Sequence, residues 1–154
     1  MAKKPRIRAI ALCLLRQDQR ILVHQGYDTV NQRWFARPLG GGIDFGETSQ
    51  QAVVREIQEE LGAAITAVKL LATVESIFDY EGKPGHEIVF IYDGEFVDQS
   101  LYQQETLTVV EGTRRFQAHW RSLEELAAAG VTLVPGAIAS LLEPHVLSIK
   151  LAMA

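Results

Sequence analysis

Three glutamates near the middle of the chain have residue types and a spacing that suit a metal ion. Glu56, Glu59 and Glu60 occupy positions i, i+3 and i+4 of a predicted helix, so their carboxylates share one helix face. Like charges at this spacing repel each other by roughly a few tenths of a kcal/mol per pair, and a divalent cation removes that repulsion. Oxygen ligands of this kind suit Mg²⁺ or Mn²⁺. The alternative is a solvated acidic face, which is the commoner reason for neighbouring glutamates.

Two features beside the glutamates favour the cation site. Arg55 directly precedes Glu56 and lies four residues before Glu59, where its guanidinium is placed to orient a carboxylate through two hydrogen bonds. A run of three glycines at residues 40–42 lies just upstream, and glycines let the backbone approach a ligand closely. We interpret this run as a flexible loop next to the site.

The segment from Gly41 to Ala63 resembles the Nudix box, G-x5-E-x7-R-E-U-x-E-E-x-G-U, in which U is a bulky apolar residue. The fixed residues of this pattern are all present, as Gly41, Glu47, Arg55, Glu56, Glu59, Glu60 and Gly62. Two details depart from the family: Ala63 is smaller than usual, and the order Pro38-Leu39 replaces the commoner Leu-Pro. These seven identities at fixed spacing, together with the apolar Ile57, make a chance match negligible.

The resemblance implies a fold and an activity. The fold is an α/β/α sandwich built around a mixed β-sheet, and the segment 120–126 resembles the family's element of a tryptophan followed by a short helix. The activity is hydrolysis, dependent on Mg²⁺ or Mn²⁺, of a nucleoside diphosphate linked to another moiety. The alternative is a Nudix-fold domain that binds a nucleotide or regulates without turnover.

The resemblance also implies roles for the residues of the box. The expected metal ligands are the carboxylates of Glu56, Glu59 and Glu60 and the carbonyl of Gly40. Glu47 and Gly41 are expected to support the helix and the loop, and Arg55 to orient the glutamates. A metal ion acts on a phosphoanhydride as a Lewis acid and lowers the pKa of bound water, and a carboxylate then accepts the proton.

The proton acceptor has two candidates. Glu56 belongs to the box, whereas Glu111 lies in a later segment shortly before Trp120. Its place resembles that of an additional metal-binding or basic glutamate in MutT-type members of the family. Glu105 is a weaker candidate in the same segment. A solvated acid on a loop is the alternative for both residues.

Three residues outside the box are candidates for binding the substrate. Arg37 precedes the glycines and is placed to meet a phosphate, and His86 opens a predicted strand. Tyr80 lies 17 residues past the box, which resembles a marker of dinucleoside polyphosphate hydrolases. Phe35 and Phe78 are further aromatic candidates for stacking on a base, although core packing is the commoner role of such residues.

Strands and helices must alternate around the box to position these side chains. Apolar or alternating segments predict strands over 6–15, 20–25, 34–39, 65–78, 86–96 and 113–120. Helices are predicted over 48–61, 122–129 and from Pro135 to about Leu142, with Pro144 as the stop of the last. Residues 26–33 and 98–112 are predicted to be loops.

Composition limits the remaining classes of function. The chain has 154 residues and a net charge of −4, with 47% hydrophobic and 22% charged residues, which is typical of one globular domain over residues 1–154. We expect a small-molecule nucleotide derivative as the partner. We expect no duplex nucleic acid, because the net charge is negative and proteins that bind a duplex usually present a basic face. The apolar run after the basic N-terminus is too short to span a membrane, so a cytoplasmic protein is expected. A homodimer is compatible with the family.

Overall fold

The strand Arg8–Gln17 (β1) lies inside the sheet and supplies side chains to both hydrophobic cores. The computed structural model describes residues 3–143 of the chain, and within it residues 10–15 of β1 are all buried. Successive side chains of a strand point to opposite faces of the sheet. A continuous apolar run is therefore typical of a strand that is covered on both sides.

The other elements of the described residues follow β1 along the chain. They are β2 (Arg20–Asp28), β3 (Arg33–Gly42), α1 (Ser49–Leu61), β4 (Ile65–Tyr80), β5 (Lys83–Phe96), β6 (Thr106–Glu111), β7 (Arg114–Ser122), α2 (Leu123–Ala128), β8 (Val131–Leu133) and α3 (Ile138–Leu142). The strands form one mixed sheet in the order β4-β5-β1-β3-β2-β7-β6, and β8 pairs with β3. The β1–β5 and β3–β8 pairs are parallel, and the other pairs are antiparallel.

Two hydrophobic cores lie on opposite faces of this sheet. On one face α1 packs against β1, and the buried residues there include Ala11, Cys13, Leu15, Ala52, Val53 and Ile57. On the other face α2 and α3 cover the sheet, and the buried residues include Ile10, Leu12, Leu14, Leu126 and Ile138. The fold is the α/β/α sandwich around a mixed sheet that the family resemblance implies.

The helix that carries the glutamates begins and ends where the sequence predicts. The Thr48 side chain accepts a hydrogen bond from the Gln51 amide at 3.1 Å, and the Gln51 side chain accepts one from the Thr48 amide at 2.9 Å. Gly62 adopts a left-handed φ of 63°, and its amide donates to the Gln58 carbonyl. No helix of residues 3–143 is long and apolar enough to cross a membrane.

The glycine run is wrongly predicted as a flexible loop. Residues 40–42 form the end of β3 and pair antiparallel with residues 10–12 of β1. The reason is tertiary: β1 is buried in the middle of the sheet, and its backbone groups on this edge need a partner. Pairing with β1 therefore outweighs the weak strand preference of glycine.

The segment 98–112 is also wrongly predicted. It contains a short 3-10 helix at Gln99–Gln103 and the strand β6, which forms an antiparallel hairpin with β7. Leu107 and Val109 of β6 alternate with exposed threonines and are buried against the α1 face of the sheet. The predicted loop 26–33 is likewise too long, because β2 extends to Asp28. The three-residue strand β8 has no counterpart in the sequence prediction.

The C-terminal helices match the prediction only in part. α2 begins at the predicted capping box, in which the Glu125 amide donates to the Ser122 hydroxyl at 3.1 Å. The last helix begins at Ile138 rather than at Pro135, because the Pro135 carbonyl accepts from the Ile138 amide in a preceding turn. Pro144, the predicted stop, lies outside the described residues.

Candidate active site

Glu60 is the most deeply buried acid of the predicted metal site. Its side chain projects from α1 toward the end of β3, and the residue is only 8% exposed. The Gly40 amide favours the charged form of the Glu60 carboxyl and lowers its pKa, against the larger effect of burial. The second carboxylate oxygen, Oε2, is buried and has no hydrogen-bond partner. A buried acceptor without a partner is costly and rare in folded proteins, so this oxygen calls for an explanation.

The glycines at the end of β3 allow α1 to come this close to the sheet. A Cβ atom on Gly41 would lie 2.6 Å from the carboxyl carbon of Glu56, so the carboxylate rests directly on the glycine backbone. A Cβ atom on Gly40 would lie 2.0 Å from the carbonyl oxygen of Ala11, and Gly40 has a φ of +144° that favours glycine. Both positions therefore depend on the absence of a side chain.

Arg55 connects the acids of the box with the end of β3. Its Nη1 donates to Glu56 at 3.0 Å and to Glu59 at 3.2 Å. Its Nη2 donates to the Gly42 carbonyl at 2.9 Å, and its Nε donates to Glu47 at 3.0 Å. The fork of a guanidinium reaches these acceptors together, which a lysine ammonium does not do.

Glu47 closes the turn between β3 and α1. Its carboxylate accepts from the Asp44 amide at 2.9 Å as well as from Arg55. The Arg55 hydrogen bond, followed by the Asp44 amide, lowers the pKa of Glu47 to about 2. The same pairing raises the pKa of Arg55. Glu47 is therefore charged throughout the physiological range and fixes the arginine from its far side.

The acids that face the sheet lie in an environment that opposes their charge. Burial, and then the negative charges of Glu56 and Glu111, raise the pKa of Glu60 to about 8. Burial also raises the pKa of Glu56, although Arg55 counteracts the shift. Perturbed carboxyl groups that face one another are characteristic of functional sites.

These features fit a hard divalent cation. The unpartnered Oε2 of Glu60 is an oxygen donor, and a cation beside it would balance the charge of Glu56 and Glu60. Within residues 3–143 the acids are not already gathered into a set of three or more metal ligands. The Glu59 side chain is 59% exposed and is held by Arg55. The assignment of Glu56, Glu59 and Glu60 as ligands thus stays a prediction.

The structure brings Glu111 toward the same site. It is the last residue of β6, it is exposed, and its charge acts on the buried carboxyl of Glu60. The hairpin of β6 and β7 carries it there across the α1 face of the sheet. Glu105, the weaker candidate, is exposed and lies just before β6.

Of the predicted substrate residues, Arg37 is the one that the structure links to the glutamates. Its positive charge lowers the pKa of Glu60, which burial raises. Tyr80, at the end of β4, is 45% exposed, and its ring meets the ring of Phe35 edge-on at 5.5 Å. His86 is half-buried on β5, and Phe78 packs over Gly85. The last two are not linked to the glutamates by any described contact.

Glu87 and Arg8 are residues that the sequence prediction missed. Glu87 is only 6% exposed and lies 3.6 Å from Arg37 and 3.8 Å from Arg8. A signal for Glu87 is present in the sequence, because strand alternation places it on the same face as the buried Val89 and Ile91. An acid on an apolar face needs a partner, and the sequence does not identify that partner.

Comparison with known proteins agrees with this architecture. The model of the NUDIX domain family matches residues 4–139 of the chain. A solved structure described as the MutT NUDIX hydrolase from Burkholderia pseudomallei superposes with a TM-score of 0.62 at 26% identity. That match covers 90% of this chain and 99% of the other.

Two curated relatives resemble part of the chain. An RNA pyrophosphohydrolase of Sphingopyxis alaskensis is 33% identical over 86 residues, which cover 56% of this chain and 52% of the relative. An ADP-ribose pyrophosphatase of Methanocaldococcus jannaschii is 42% identical over 82 residues, which cover 52% of this chain and 47% of the relative. The chain thus spans about half the length of the curated relatives that it matches.

Proposed function

The chain belongs to the NUDIX family, and from this premise we propose that it is a divalent-metal-dependent pyrophosphohydrolase. Its substrate is a nucleotide derivative in which a nucleoside diphosphate is linked to another moiety. The observation that carries the proposal is the buried, unpartnered carboxylate oxygen of Glu60 beside Glu56 and Glu111. Such an oxygen suits a metal ion at the place where the family's chemistry needs one.

We assign the residues of the box to two tasks. Glu56, Glu59, Glu60 and the carbonyl of Gly40 hold Mg²⁺ or Mn²⁺, which when bound polarises a phosphoryl oxygen and acidifies water. Arg55 orients the carboxylates of Glu56 and Glu59, and Glu47 holds Arg55 from the other side. Because Gly41 has no side chain, the Glu56 carboxylate lies directly against the backbone of β3.

Either Glu56 or Glu111 accepts the proton of the attacking water. Glu56 is held by Arg55, and burial raises the pKa of its carboxyl in the metal-free protein. Glu111 is exposed at the end of β6, and its charge acts on the Glu60 carboxyl. Glu111→Gln separates the two, because it should remove the acidic limb of the pH profile of kcat if Glu111 is the acceptor and should leave that limb in place if Glu56 is. A Glu56 variant is not informative here, since Glu56 is also assigned to the metal.

A panel of candidate substrates, rather than the fold, is needed to identify the substrate class. The relatives' names add RNA and ADP-ribose to the nucleotides that the sequence favours. The panel also holds dinucleoside polyphosphates, nucleoside triphosphates with oxidised guanine forms, and nucleotide sugars. Arg37 and Tyr80 are the residues that we propose to contact the substrate, and His86 is a third candidate.

The test is product release from this panel with Mg²⁺ or Mn²⁺ and with EDTA as the control. We expect one substrate to be hydrolysed far above the others, only with metal. Glu59→Gln should abolish turnover with little loss of stability, because Glu59 is largely exposed. The matched control is Glu124→Gln, which alters an exposed acid on α2 and should leave turnover unchanged.

The alternative is a NUDIX-fold domain that binds or regulates without turnover. Metal binding without hydrolysis of any panel member would support it, and normal turnover by Glu59→Gln would overturn the ligand assignment. We also propose that residues 1–154 form one domain, because β1 contributes side chains to the cores on both faces of the sheet.

A further inference from the structure

A buried carboxylate outside the box is held between two arginines of different strands. Oε1 of Glu87 on β5 lies 3.6 Å from Nη2 of Arg37 on β3, and its Oε2 lies 3.8 Å from Nη1 of Arg8 on β1. The Glu87 side chain is only 9% exposed, whereas those of Arg37 and Arg8 are 27% and 65% exposed. The acid is therefore covered, and both guanidinium groups reach the surface.

Arg37 is the arginine of this pair that is linked to the glutamates of the box. The charge of Arg37 acts on the carboxyl of Glu60. A Cβ atom on Gly42 would lie 3.8 Å from Nη2 of Arg8, and the Gly42 carbonyl accepts a hydrogen bond from Arg55. Arg37 thus acts on the acids of the box, and Arg8 lies beside the end of β3 that carries the box glycines.

We propose that Glu87 positions Arg8 and Arg37 as a clamp for a phosphoryl group of the substrate. This inference rests on the proposed function, because the site beside the clamp is the one assigned to phosphoanhydride hydrolysis. Glu87 does not touch the substrate and acts through the two arginines, so it is a positioning residue.

The charge balance of this cluster points to an anionic ligand. Two guanidinium groups and one carboxylate leave a net charge of +1 next to a group of acids. Each guanidinium has five N–H donors, and the distances of 3.8 and 3.6 Å to Glu87 are those of ion pairs rather than of hydrogen bonds. These donors form the planar fork that matches two oxygens of a phosphate.

A positioning role and a purely electrostatic role of Glu87 predict opposite results. If Glu87 acted only through its charge, Glu87→Gln would raise the net charge of the cluster to +2 and tighten the binding of an anion. If Glu87 holds the arginines in place, the same variant frees their side chains and weakens the binding.

The experiment measures binding of adenosine 5′-(α,β-methylene)diphosphate, which is not hydrolysed at its bridging carbon, by calorimetry with Mg²⁺. The variants are Arg8→Gln, Arg37→Gln and Glu87→Gln. The matched controls are Arg16→Gln and Asp93→Asn. Arg16 and Asp93 form a 3.1 Å ion pair between β1 and β5, at the ends of these strands that lie away from Arg8 and Glu87.

We expect the affinity to fall about five- to twentyfold in each arginine variant and about fivefold in Glu87→Gln. In the Arg8→Gln/Arg37→Gln background, Glu87→Gln should have little further effect, since the residues through which it acts are gone. With the best substrate of the panel, Glu87→Gln should raise KM and leave kcat within about twofold. The controls should bind as the unaltered protein does.

The clamp is overturned if the unaltered protein does not bind the probe, if the variants match the controls, or if Glu87→Gln tightens binding. Failure of the proposed function looks different: the unaltered protein then binds the probe but hydrolyses no member of the panel. Turnover together with variants that match the controls would refute the clamp alone.

Discussion

Glu60 is the residue at which burial and charge conflict most strongly in this protein. Its carboxyl is covered by β3, one of its oxygens has no partner, and Glu56 and Glu111 add negative charge around it. A fold retains such a group when a ligand compensates the cost, as a cation would here. The cost itself is measurable in the protein without metal.

The stability of the metal-free protein should fall as the pH rises from about 4.5 to about 8. The folded pKa of Glu60 is about 8 against an ordinary value of 4.5, so the folded state binds the extra proton and loses this advantage as the pH rises. The effect is on the order of 2–5 kcal/mol. Denaturant unfolding in EDTA measures it, and Glu60→Gln should flatten the curve. An equally steep curve in Glu60→Gln would assign the slope to other groups.

Arg55→Lys should reduce kcat/KM by at least about tenfold and should also destabilise the fold. An ammonium lacks the planar fork that holds Glu47, Glu56 and the Gly42 carbonyl together. Steady-state kinetics and thermal unfolding measure the two effects. Arg20→Lys is the control, because Arg20 pairs with Glu125 away from the box. Unchanged kinetics in Arg55→Lys would show that charge alone suffices at this position.

At the scale of elements, substitutions of Gly40 and Gly41 at the end of β3 should affect stability and activity to different extents. Gly40→Ala should destabilise the protein by roughly 3 kcal/mol or more, since its Cβ would overlap the backbone of Ala11 at a strained φ. Gly41→Ala should cost less stability but more activity, since its Cβ would meet the end of the flexible Glu56 side chain. Denaturant unfolding and metal-dependent turnover test both, with Gly136→Ala in open space as the control. Equal losses in both variants would contradict this division.

Asp28, the last residue of β2, is hydrogen-bonded to the tip of the β4–β5 hairpin. Its buried carboxylate accepts from the amides of Val30 and Asn31 at 3.1 and 3.0 Å and from the Glu81 amide at 3.3 Å. These bonds fix the turn after β2 and the hairpin tip next to Tyr80. Loops and hairpin tips open locally unless such contacts hold them.

Asp28→Ala should therefore raise hydrogen exchange at the Val30, Asn31 and Glu81 amides by about tenfold or more. The strands of the sheet centre should keep their protection. The control is Asp98→Ala, which removes a comparable hydrogen bond to the Ser100 amide and should act only near Gln99–Gln103. Slow exchange at Val30 and Glu81 in Asp28→Ala would mean that the hairpin is held by other contacts.

For the whole molecule, we expect the two cores to unfold as one cooperative unit, because β1 contributes side chains to both. Leu14 faces the core covered by α2 and α3, and Leu15 faces the core covered by α1. Leu14→Ala and Leu15→Ala should each cost about 2–5 kcal/mol and lower the midpoint of one shared transition. Far- and near-ultraviolet circular dichroism during thermal unfolding check this. Separate transitions in either variant would show that the cores unfold independently.

The sequence by itself determined the features that depend on near neighbours. The spacing of Arg55, Glu56 and Glu60 identifies the acidic helix face, and the Thr48 capping box and Gly62 set its ends. The long apolar run of β1 indicates a strand covered on both faces. Helix periodicity and capping act over about four residues, so a sequence carries them without knowledge of the fold.

Only the tertiary structure decided which distant residues meet. It paired the glycines of residues 40–42 with β1, made a strand of residues 106–111, and brought Glu87 between Arg8 and Arg37. The glycine pairing and the Glu87 contacts join residues tens of positions apart. The strand 106–111 pairs with its neighbour β7, but its burial against the α1 face again depends on distant parts of the chain. A local pattern indicates which face of a strand is buried, whereas the choice of distant partner strands depends on the packing of the whole core.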